Sequence, residues 1–344
     1  MATPQNPKDS MKSTWRLDKS KWTSDHHFLN FFFPGEAVTG PPPVFKKSEP
    51  IPVLAHWSVD VWVIIFAAWP MAVQGLYHWA TGSGMPAIGT FLLYWFAFQA
   101  NAIHEVKVLG RLGQKYGYLD GDTHARDDVP DVGVAKAVAA LLMTTTIRPL
   151  FTLLLTYNRS ELPLPSVWLP VELFLYSIVL DFFFYCYHRA CHEVDWLWQY
   201  HRTHHLTKHP NPFLSAYADH EQEFLEIAFI PIATWCVLRV CGFPMGFYDW
   251  WICHEFIVFA EAMGHSGIRL HVTAPGLSRH LLSAFGCELL GEDHDIHHRK
   301  GYRKSYNYGK QTRLWDVLFG TCGPRYETAE ANIDHSNQVI LPLL

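Results

Sequence analysis

The sequence lacks the motifs of several common enzyme classes and has few charged residues. It contains no GxSxG segment around a nucleophilic serine, no glycine-rich nucleotide loop and no cysteine signature for haem attachment. Asp, Glu, Lys and Arg make up 17% of the 344 residues, whereas their usual share is about 25%. The seven cysteines form no CxxC pair, which favours reduced thiols over a disulfide framework. Because the chain has no dinucleotide motif, a redox reaction would need electrons from a partner.

The sequence contains several long apolar segments. Hydrophobic residues account for 49% of the chain and aromatic residues for 15%, and Trp and Tyr are typical of membrane interfaces. A helix that crosses a bilayer needs roughly 20 apolar residues. Four segments reach that length and two are marginal, in the order 57–79, 86–106, 138–157 and 167–187, then 224–240 and 247–263. They predict an all-α, polytopic membrane helix bundle, with a soluble protein of buried helices as the alternative.

The predicted spans divide the chain into four parts. These are a polar, partly disordered cytosolic arm, a membrane hairpin with its loop, a catalytic domain and a C-terminal tail, at residues 1–55, 56–135, 136–325 and 326–344. The arm is basic, which favours a cytosolic N-terminus. Because paired spans return the chain to the same side, residues 188–220 and 265–344 are both expected in the cytosol, as a histidine-rich helical cap.

Histidine is the unusual component, with 21 residues. The pattern HxxHH occurs twice, and HxxxH lies just before the first copy. These patterns contain His188, His192, His201, His204, His205, His294, His297 and His298. On a helix, such spacings place the imidazoles on one face, and neutral imidazole binds Zn, Cu, Fe and Ni. A single structural zinc takes four ligands, so this set predicts a dinuclear metal site, with His265 as a further ligand.

Other polar residues in the apolar segments are candidates for supporting roles. Glu261 and His254 are weaker ligand candidates than His265. Asp181 lies two helical turns before His188, which fits either an acceptor for a ligand N–H or an ion pair with Arg148 or Arg189. We expect Arg148 to pair with a buried carboxylate, because charged groups at membrane depth rarely remain alone. Candidates for substrate contacts are Tyr185, Tyr187, Tyr217 and Arg269.

Three segments carry a resemblance to a known family. "DFFFYCYHRACH", "HRTHH" and "HDIHH" resemble the three histidine boxes of the fatty acid hydroxylase superfamily, the membrane group of sterol desaturases, sterol methyl oxidases and sphingolipid hydroxylases. The segment "NYGKQTRLWDVLFGT", residues 307–321, is similar to the family's sequence after the third box. "DHEQEF", residues 219–224, resembles a family HPxE element, but Glu221 replaces the proline. The resemblance covers about residues 165–321.

This resemblance implies a specific chemistry. It implies a non-haem di-iron centre, molecular oxygen as co-substrate, and electrons from a b-type cytochrome with its NADH- or NADPH-dependent reductase. The expected reaction is hydroxylation of an unactivated C–H bond in a sterol, terpenoid, sphingoid or fatty acyl substrate. The expected location is the endoplasmic reticulum membrane, with several spans and a cytosolic active site.

Two other functional classes remain for comparison. Zinc in the same histidine site would acidify a bound water and support a hydrolase or isomerase, and desaturation could occur on the same di-iron site. The third class is a metal transporter or a non-catalytic, metal-stabilised membrane protein. It is disfavoured, because a transporter's ligands should lie within the spans, whereas these histidines lie outside them or at their ends. The residues alone do not separate the oxygenase from the zinc enzyme, and they do not identify the substrate, the oxidised carbon or the oligomeric state.

Overall fold

The protein is mainly helical in the computed structural model, which describes residues 7–33 and 40–344. The first helices include the longest ones: α1 (Ser24–Phe32), α2 (His56–Thr81), α3 (Ala87–Tyr116), α4 (Val134–Thr156) and α5 (Leu169–Glu193). The later helices are α6 (Asp195–His201), α7 (His220–Phe224), α8 (Ile230–Val240), α9 (Phe247–Ser266), α10 (Ser278–Leu282), α11 (Gly291–Lys300) and α12 (Leu314–Phe319). A π-helical turn, Leu225–Phe229, joins α7 to α8. This organisation confirms the predicted helical fold class.

Helix α9 forms the centre of the bundle and is buried along almost its whole length. It packs against α2, α3, α4, α5 and α11. Its tryptophans also make polar contacts, since Trp250 donates to the Tyr176 hydroxyl at 2.9 Å and Trp251 to the Ala67 carbonyl at 2.9 Å. The helix ends at Gly267, whose φ of 57° is a left-handed value that glycine adopts readily. The central position of α9 carries its last turn, with His265, into the interior.

Within the described residues, three helices are long and apolar enough to cross a membrane. They are α2, α4 and α5, and their exposed faces carry large apolar side chains such as Ile64, Leu76 and Leu154. The predicted segment 86–106 is helical as part of α3 but does not meet the same criteria, since polar residues such as Asn101 and Glu105 interrupt its apolar run. The marginal segment 247–263 lies within the central helix α9.

A short parallel sheet joins the segment before α2 to the C-terminal segment. Strand β1 (Ile51–Leu54), just before α2, pairs with β2 (Ile333–Val339), which lies near the C-terminus. Beyond the strand, Leu341 is buried and its backbone N–H donates to the Ser58 hydroxyl at 3.0 Å. The predicted C-terminal tail is therefore docked beside the start of α2.

The described part of the N-terminal arm is also folded against the bundle. Trp15 and Leu29 are buried in a cluster that includes Val134 of α4 and Phe213. Asp131 anchors the arm by accepting from the backbone N–H groups of Thr14 and Trp15. These contacts replace the partial disorder expected for residues 7–33, whereas residues 1–6 and 34–39 of the predicted arm lie outside the described residues. The four-part domain division remains a prediction.

Candidate metal centre

Four helical segments bring the nine predicted histidines together. The last turns of α5 and α9 carry His188, His192 and His265, the end of α6 and the following turn carry His201, His204 and His205, and α11 carries His294, His297 and His298. Each histidine is at most 2% exposed. The i, i+4 spacings of His188 with His192 and of His294 with His298 place those imidazoles on one face of a helix. The first HxxHH pattern differs from the prediction of one short helix, because α6 ends at His201 and a separate 3-10 turn carries His204 and His205. We call these nine residues the histidine cage.

The cage consists of two groups, each with its nitrogen atoms within 4.8 Å of one another. The five-histidine group contains His188, His192, His201, His205 and His297, and the four-histidine group contains His204, His265, His294 and His298. Adjacent residues connect the groups, because His204 and His205 are neighbours in the chain, as are His297 and His298. This is the arrangement that two metal ions at neighbouring positions would require.

Hydrogen bonds set the tautomer of most cage histidines. The Nδ1 atoms of His188, His192, His204, His265, His297 and His298 each lie 2.7–3.2 Å from a backbone carbonyl oxygen. The Nδ1 of His201 lies 3.0 Å from the Gln222 side-chain oxygen. Because these oxygens can only accept, each Nδ1 carries the proton. The Nε2 atom is then an unprotonated lone pair, as a metal ligand requires.

The Nε2 atoms face each other at distances that two lone pairs would not adopt by themselves. The Nε2 atoms of His204 and His265 are 3.1 Å apart, although both rings donate through Nδ1. The Nε2 of His205 lies 3.0 Å from those of His192, His201 and His297. A single proton on His205 could satisfy only one of these three neighbours. A cation among the nitrogens would remove the repulsion.

The distances also fit the size of a first-row transition metal. Two ligands at right angles, each bound at about 2.1 Å, lie about 3.0 Å apart. The close Nε2–Nε2 pairs lie 2.9–3.1 Å apart. The cage therefore fits a metal that accepts right-angled ligands.

Burial keeps the cage neutral. It is the main reason that the pKa of His201, His204, His205, His294, His297 and His298 lies well below the ordinary value, and the neighbouring imidazoles lower it further. A protonated imidazole cannot bind a metal, so neutral rings are the form required.

A loop after α11 positions three histidines through its backbone. Residues 303–312, here called the carbonyl loop, supply the carbonyls of Arg303, Tyr306 and Tyr308 to His192, His297 and His188. This loop overlaps the segment 307–321 that carried the family resemblance. Its contacts give a physical reason for the particular sequence that follows the third box.

Two buried carboxylates hold the carbonyl loop in place. Asp316 accepts from the backbone N–H groups of Tyr308 and Gly309, both at 2.8 Å. Asp181 accepts from Lys310 N at 2.8 Å and from the Thr312 hydroxyl at 2.6 Å. Both predicted roles of Asp181 are therefore wrong. Its carboxylate caps backbone N–H groups of the loop, and the His188 N–H goes to the Tyr308 carbonyl instead.

Neither of the weaker ligand candidates belongs to the two histidine groups. His254 contacts the Thr152 hydroxyl at 3.1 Å, and Glu261 lies 3.6 Å from the ammonium group of Lys310. The His220 side chain is 65% exposed and lies 3.7 Å from Glu223. Arg148 is buried, but its nearest polar contacts are the His254 ring and the Glu226 backbone carbonyl, both at 3.5 Å. Among the described residues it has no carboxylate at ion-pair distance, unlike the expectation.

A cavity lies beside the cage and is lined by residues that sequence analysis did not assign to it. Its polar wall contains Glu105, Arg148, Glu223, Glu226 and Glu261, and its apolar wall contains Phe98, Leu141, Phe213, Ile227 and Val258. None of the four predicted substrate contacts, Tyr185, Tyr187, Tyr217 and Arg269, is among its lining residues. Arg269 bonds Glu327 at 3.0 Å, and Tyr185 lies 3.0 Å from the Thr321 hydroxyl. The sequence feature that could have indicated this cavity is the cluster of acidic and amide residues at 221–226.

Comparisons with known proteins agree with the resemblance carried by the histidine patterns. A family model described as fatty acid hydroxylase matches residues 173–321. A fatty acid hydroxylase of a Lecanicillium species is 41% identical over 315 residues, covering 87% of this chain and 86% of the relative. A very-long-chain aldehyde decarbonylase of Oryza sativa subsp. indica is 31% identical over 246 residues, 69% of this chain and 85% of the relative. A methylsterol monooxygenase of Arabidopsis thaliana is 35% identical over 168 residues, 47% of this chain and 57% of the relative. No solved structure matches.

Proposed function

The chain belongs to the fatty acid hydroxylase family, and from this premise we propose that it is a non-haem di-iron oxygenase that hydroxylates one unactivated C–H bond of a lipid. Family membership makes it an enzyme of the lipid hydroxylase and oxygenase type. The observation that carries the finer proposal is the histidine cage, with two groups of buried, neutral imidazoles whose Nε2 atoms point at each other.

The proposed ligands are the nine cage residues, divided between two iron ions. When bound, the iron would supply the activation of molecular oxygen. The balanced reaction converts R–H, O₂, two electrons and two protons into R–OH and water. The chain's own residues hold the metal through Nε2, fix each ring through Nδ1 and keep bulk water away by burial.

Electrons must come from outside the chain, since the sequence has no dinucleotide motif. We assign this role to a b-type cytochrome with its NADH- or NADPH-dependent reductase. The proposed location is the endoplasmic reticulum membrane, with several spans and the cage at the cytosolic face. Helix α5 supports this arrangement, because it is a candidate span whose last turn enters the cage.

The relatives support a lipid-like substrate. Their names refer to a fatty acid, a very-long-chain aldehyde and a methylsterol, and these compounds share a large apolar part. The apolar wall of the cavity, with Phe98, Leu141 and Phe213, would contact such a molecule beside the cage.

Incubation of membranes that contain the protein with ¹⁸O₂, an electron-donor system and a lipid extract tests the reaction. A product that carries one ¹⁸O atom is expected for the hydroxylase. A new double bond without label would assign desaturation on the same site. No oxygen-dependent product, together with zinc as the bound metal, would assign the protein to the hydrolase or isomerase class.

A further inference from the structure

The cavity beside the histidine cage contains more carboxylates than cations. We call it the carboxylate cavity and define it by Glu105, Arg148, Glu223, Glu226 and Glu261 with the apolar wall described above. The cavity is connected to the cage through Glu261, which lines the cavity and whose backbone carbonyl accepts from His265. A molecule in the cavity would therefore lie next to the metal ligands.

Two of the four carboxylates already have a cation. The ammonium group of Lys310 lies 3.1 Å from Glu226 and 3.6 Å from Glu261. Although burial alone lowers the pKa of Lys310, these two carboxylates raise it above its ordinary value, so the lysine stays charged. Glu226 also accepts from the Gln222 amide at 2.8 Å. This side of the cavity is satisfied by the protein itself.

Among the described residues, Glu105 and Glu223 have no lysine or arginine partner of this kind, although the exposed His220 ring lies 3.7 Å from Glu223. Glu105 is 3% exposed and Glu223 is 5% exposed. Within residues 7–33 and 40–344, no hydrogen-bond partner is found for Glu105 Oε1 or for either carboxylate oxygen of Glu223. Lys136, a cation on the neighbouring helix α4, pairs with Asp219. Buried carboxylates without partners are costly, so these oxygens are available to a ligand with hydrogen-bond donors.

Among the fully buried side-chain atoms of the described cavity residues, one donor lacks a partner, compared with three acceptors. Arg148 Nε is buried and without a hydrogen-bond partner in the part of the chain that the structure describes. A ligand with a carboxylate head could pair with this group, but it would be surrounded by four protein carboxylates. A protonated amino head would instead donate to the unpartnered oxygens of Glu105 and Glu223, so the excess of acceptors in the cavity favours the amine.

We propose that the carboxylate cavity binds the head of a lipid that carries a protonated amino group, with Glu105 and Glu223 as acceptors. The hydrocarbon chain would lie against the apolar wall formed by Phe98, Leu141 and Phe213. The assignment of this lipid as the substrate rests on the proposed oxygenase function, whereas its binding does not. Burial and the charge of Glu226 raise the pKa of Glu223 to about 8, so the carboxyl group is mostly protonated in the empty cavity at neutral pH, and a bound ammonium group would shift it to the ionised form.

The test compares two ligands of equal chain length on the purified, metal-loaded full chain in detergent. Decylamine and decanoate are titrated below their micelle concentrations, and binding is followed by isothermal calorimetry. The expected result is at least tenfold tighter binding of decylamine. Equal or tighter binding of decanoate overturns the proposal, and this comparison needs no variant.

Two substitutions connect the binding to the cavity. Glu223→Gln and Glu105→Gln keep the side-chain shape but cannot ionise when the amine binds, and each is expected to weaken decylamine binding at least tenfold. Glu221→Gln is the matched control, because Glu221 is an exposed residue of the same helix α7. Decylamine affinity that is unchanged in both cavity variants overturns the proposal, even if the wild-type protein prefers the amine.

The outcomes also separate this proposal from the oxygenase proposal. Binding of decylamine through Glu223 without any oxygen-dependent product keeps the cavity assignment and contradicts the oxygenase. Oxygen-dependent hydroxylation of a lipid acid without amine binding would keep the oxygenase proposal and contradict the cavity assignment.

Discussion

Seven of the nine imidazoles of the cage have an acceptor at Nδ1 that leaves Nε2 free to face the cage interior, whereas His205 and His294 have none among the described residues. His265 is an example, because its Nδ1 donates to the Glu261 carbonyl one helical turn earlier, at 2.7 Å. This contact leaves Nε2 free to face His204 and His294 at 3.1 and 2.9 Å. The Glu261 carbonyl belongs to the last turns of α9 itself, so the helix supplies the acceptor without a further residue.

Removal of one proposed ligand from either histidine group should abolish most activity. His297→Ala and His294→Ala each remove an Nε2 atom from one group, and we expect at least a 100-fold loss of oxygen-dependent product formation. The apolar core should remain folded, because neither substitution removes a hydrophobic contact between the long helices. Product formation and far-UV circular dichroism on the same samples measure both effects.

His220→Ala is the control for these variants. Its side chain is largely exposed and lies outside both groups, so we expect activity close to that of the wild-type protein. A cage variant that is folded and fully active would contradict the assigned ligands.

Asp181 should influence metal binding without contacting the metal. Asp181→Asn replaces a carboxylate oxygen that accepts loop N–H groups with an amide that donates, so the carbonyl loop should lose its anchor. We expect a loss of about 2–3 kcal/mol in unfolding free energy, the typical value for hydrogen bonds to a charged group, and a 10- to 100-fold lower metal affinity. Thermal unfolding and metal titration of the purified protein measure the two changes.

The control for Asp181→Asn is Glu193→Gln at the exposed end of the same helix. Its metal affinity should equal that of the wild-type protein. An Asp181→Asn variant with unchanged metal affinity would show that the carbonyl loop does not depend on this anchor.

At the scale of elements, sequence analysis predicted the helices that present the histidines but not the segment that orients them. The spacings of His188 with His192 and of His294 with His297 specify one helical face directly. The carbonyl loop could not be found in this way, because it acts through backbone oxygens, which every residue carries. Asp181 was recognised as important, but its partner could not be predicted, since the loop lies more than a hundred residues later in the chain.

Asp120 connects the elements around the third histidine box. Its carboxylate lies 2.9 Å from Arg299 of α11 and 3.0 Å from His209, and it also pairs with Lys47. Burial alone raises the pKa of Asp120, but hydrogen bonds from Lys47 and His209 and the charge of Arg299 outweigh burial and lower it well below 3.8. A carboxylate with a lowered pKa stabilises the fold at pH values above its unfolded pKa, and this stabilisation is lost as the pH falls towards the folded pKa.

Asp120→Asn should therefore lower the melting temperature at pH 7, and the difference from the wild-type protein should shrink as the pH falls below 4. Asparagine suits the positive φ of 59° at this position, so the effect reports charge rather than backbone strain. Melting curves at a series of pH values measure it, with Asp122→Asn in the same loop as the exposed control. A difference that stays constant with pH would contradict the role of the charge.

At the scale of the whole molecule, the apolar content of the sequence predicted a membrane protein. The apolar helices nevertheless differ in how much of their surface is buried. Helix α9 is apolar because it is the core of the bundle, whereas α2 and α5 combine a buried face with an exposed apolar face. Composition does not distinguish these two reasons for an apolar helix. The same limit applies to the N-terminal arm, whose few aromatic residues, such as Trp15, are enough to fold it against the bundle.

The pairing of β1 with β2 predicts that the chain enters its first span and ends on the same side of the membrane. β2 lies beside β1, directly before α2. Tags at residue 1 and residue 344 in sealed microsomes should therefore both be accessible to protease, with the cytosol as the proposed side. Accessibility of only one tag would contradict this arrangement.

The central claim, that the histidine cage holds two iron ions, is tested most directly by the metal content of the purified protein. Mass spectrometry of the elements, normalised to protein concentration, should give two iron ions per chain in the wild-type protein. Replacement of His297 or His294 by alanine should reduce that number to one or less, and His220→Ala should leave it unchanged. A folded wild-type protein with zinc as its metal, or an iron content that does not respond to either cage substitution, would contradict the account.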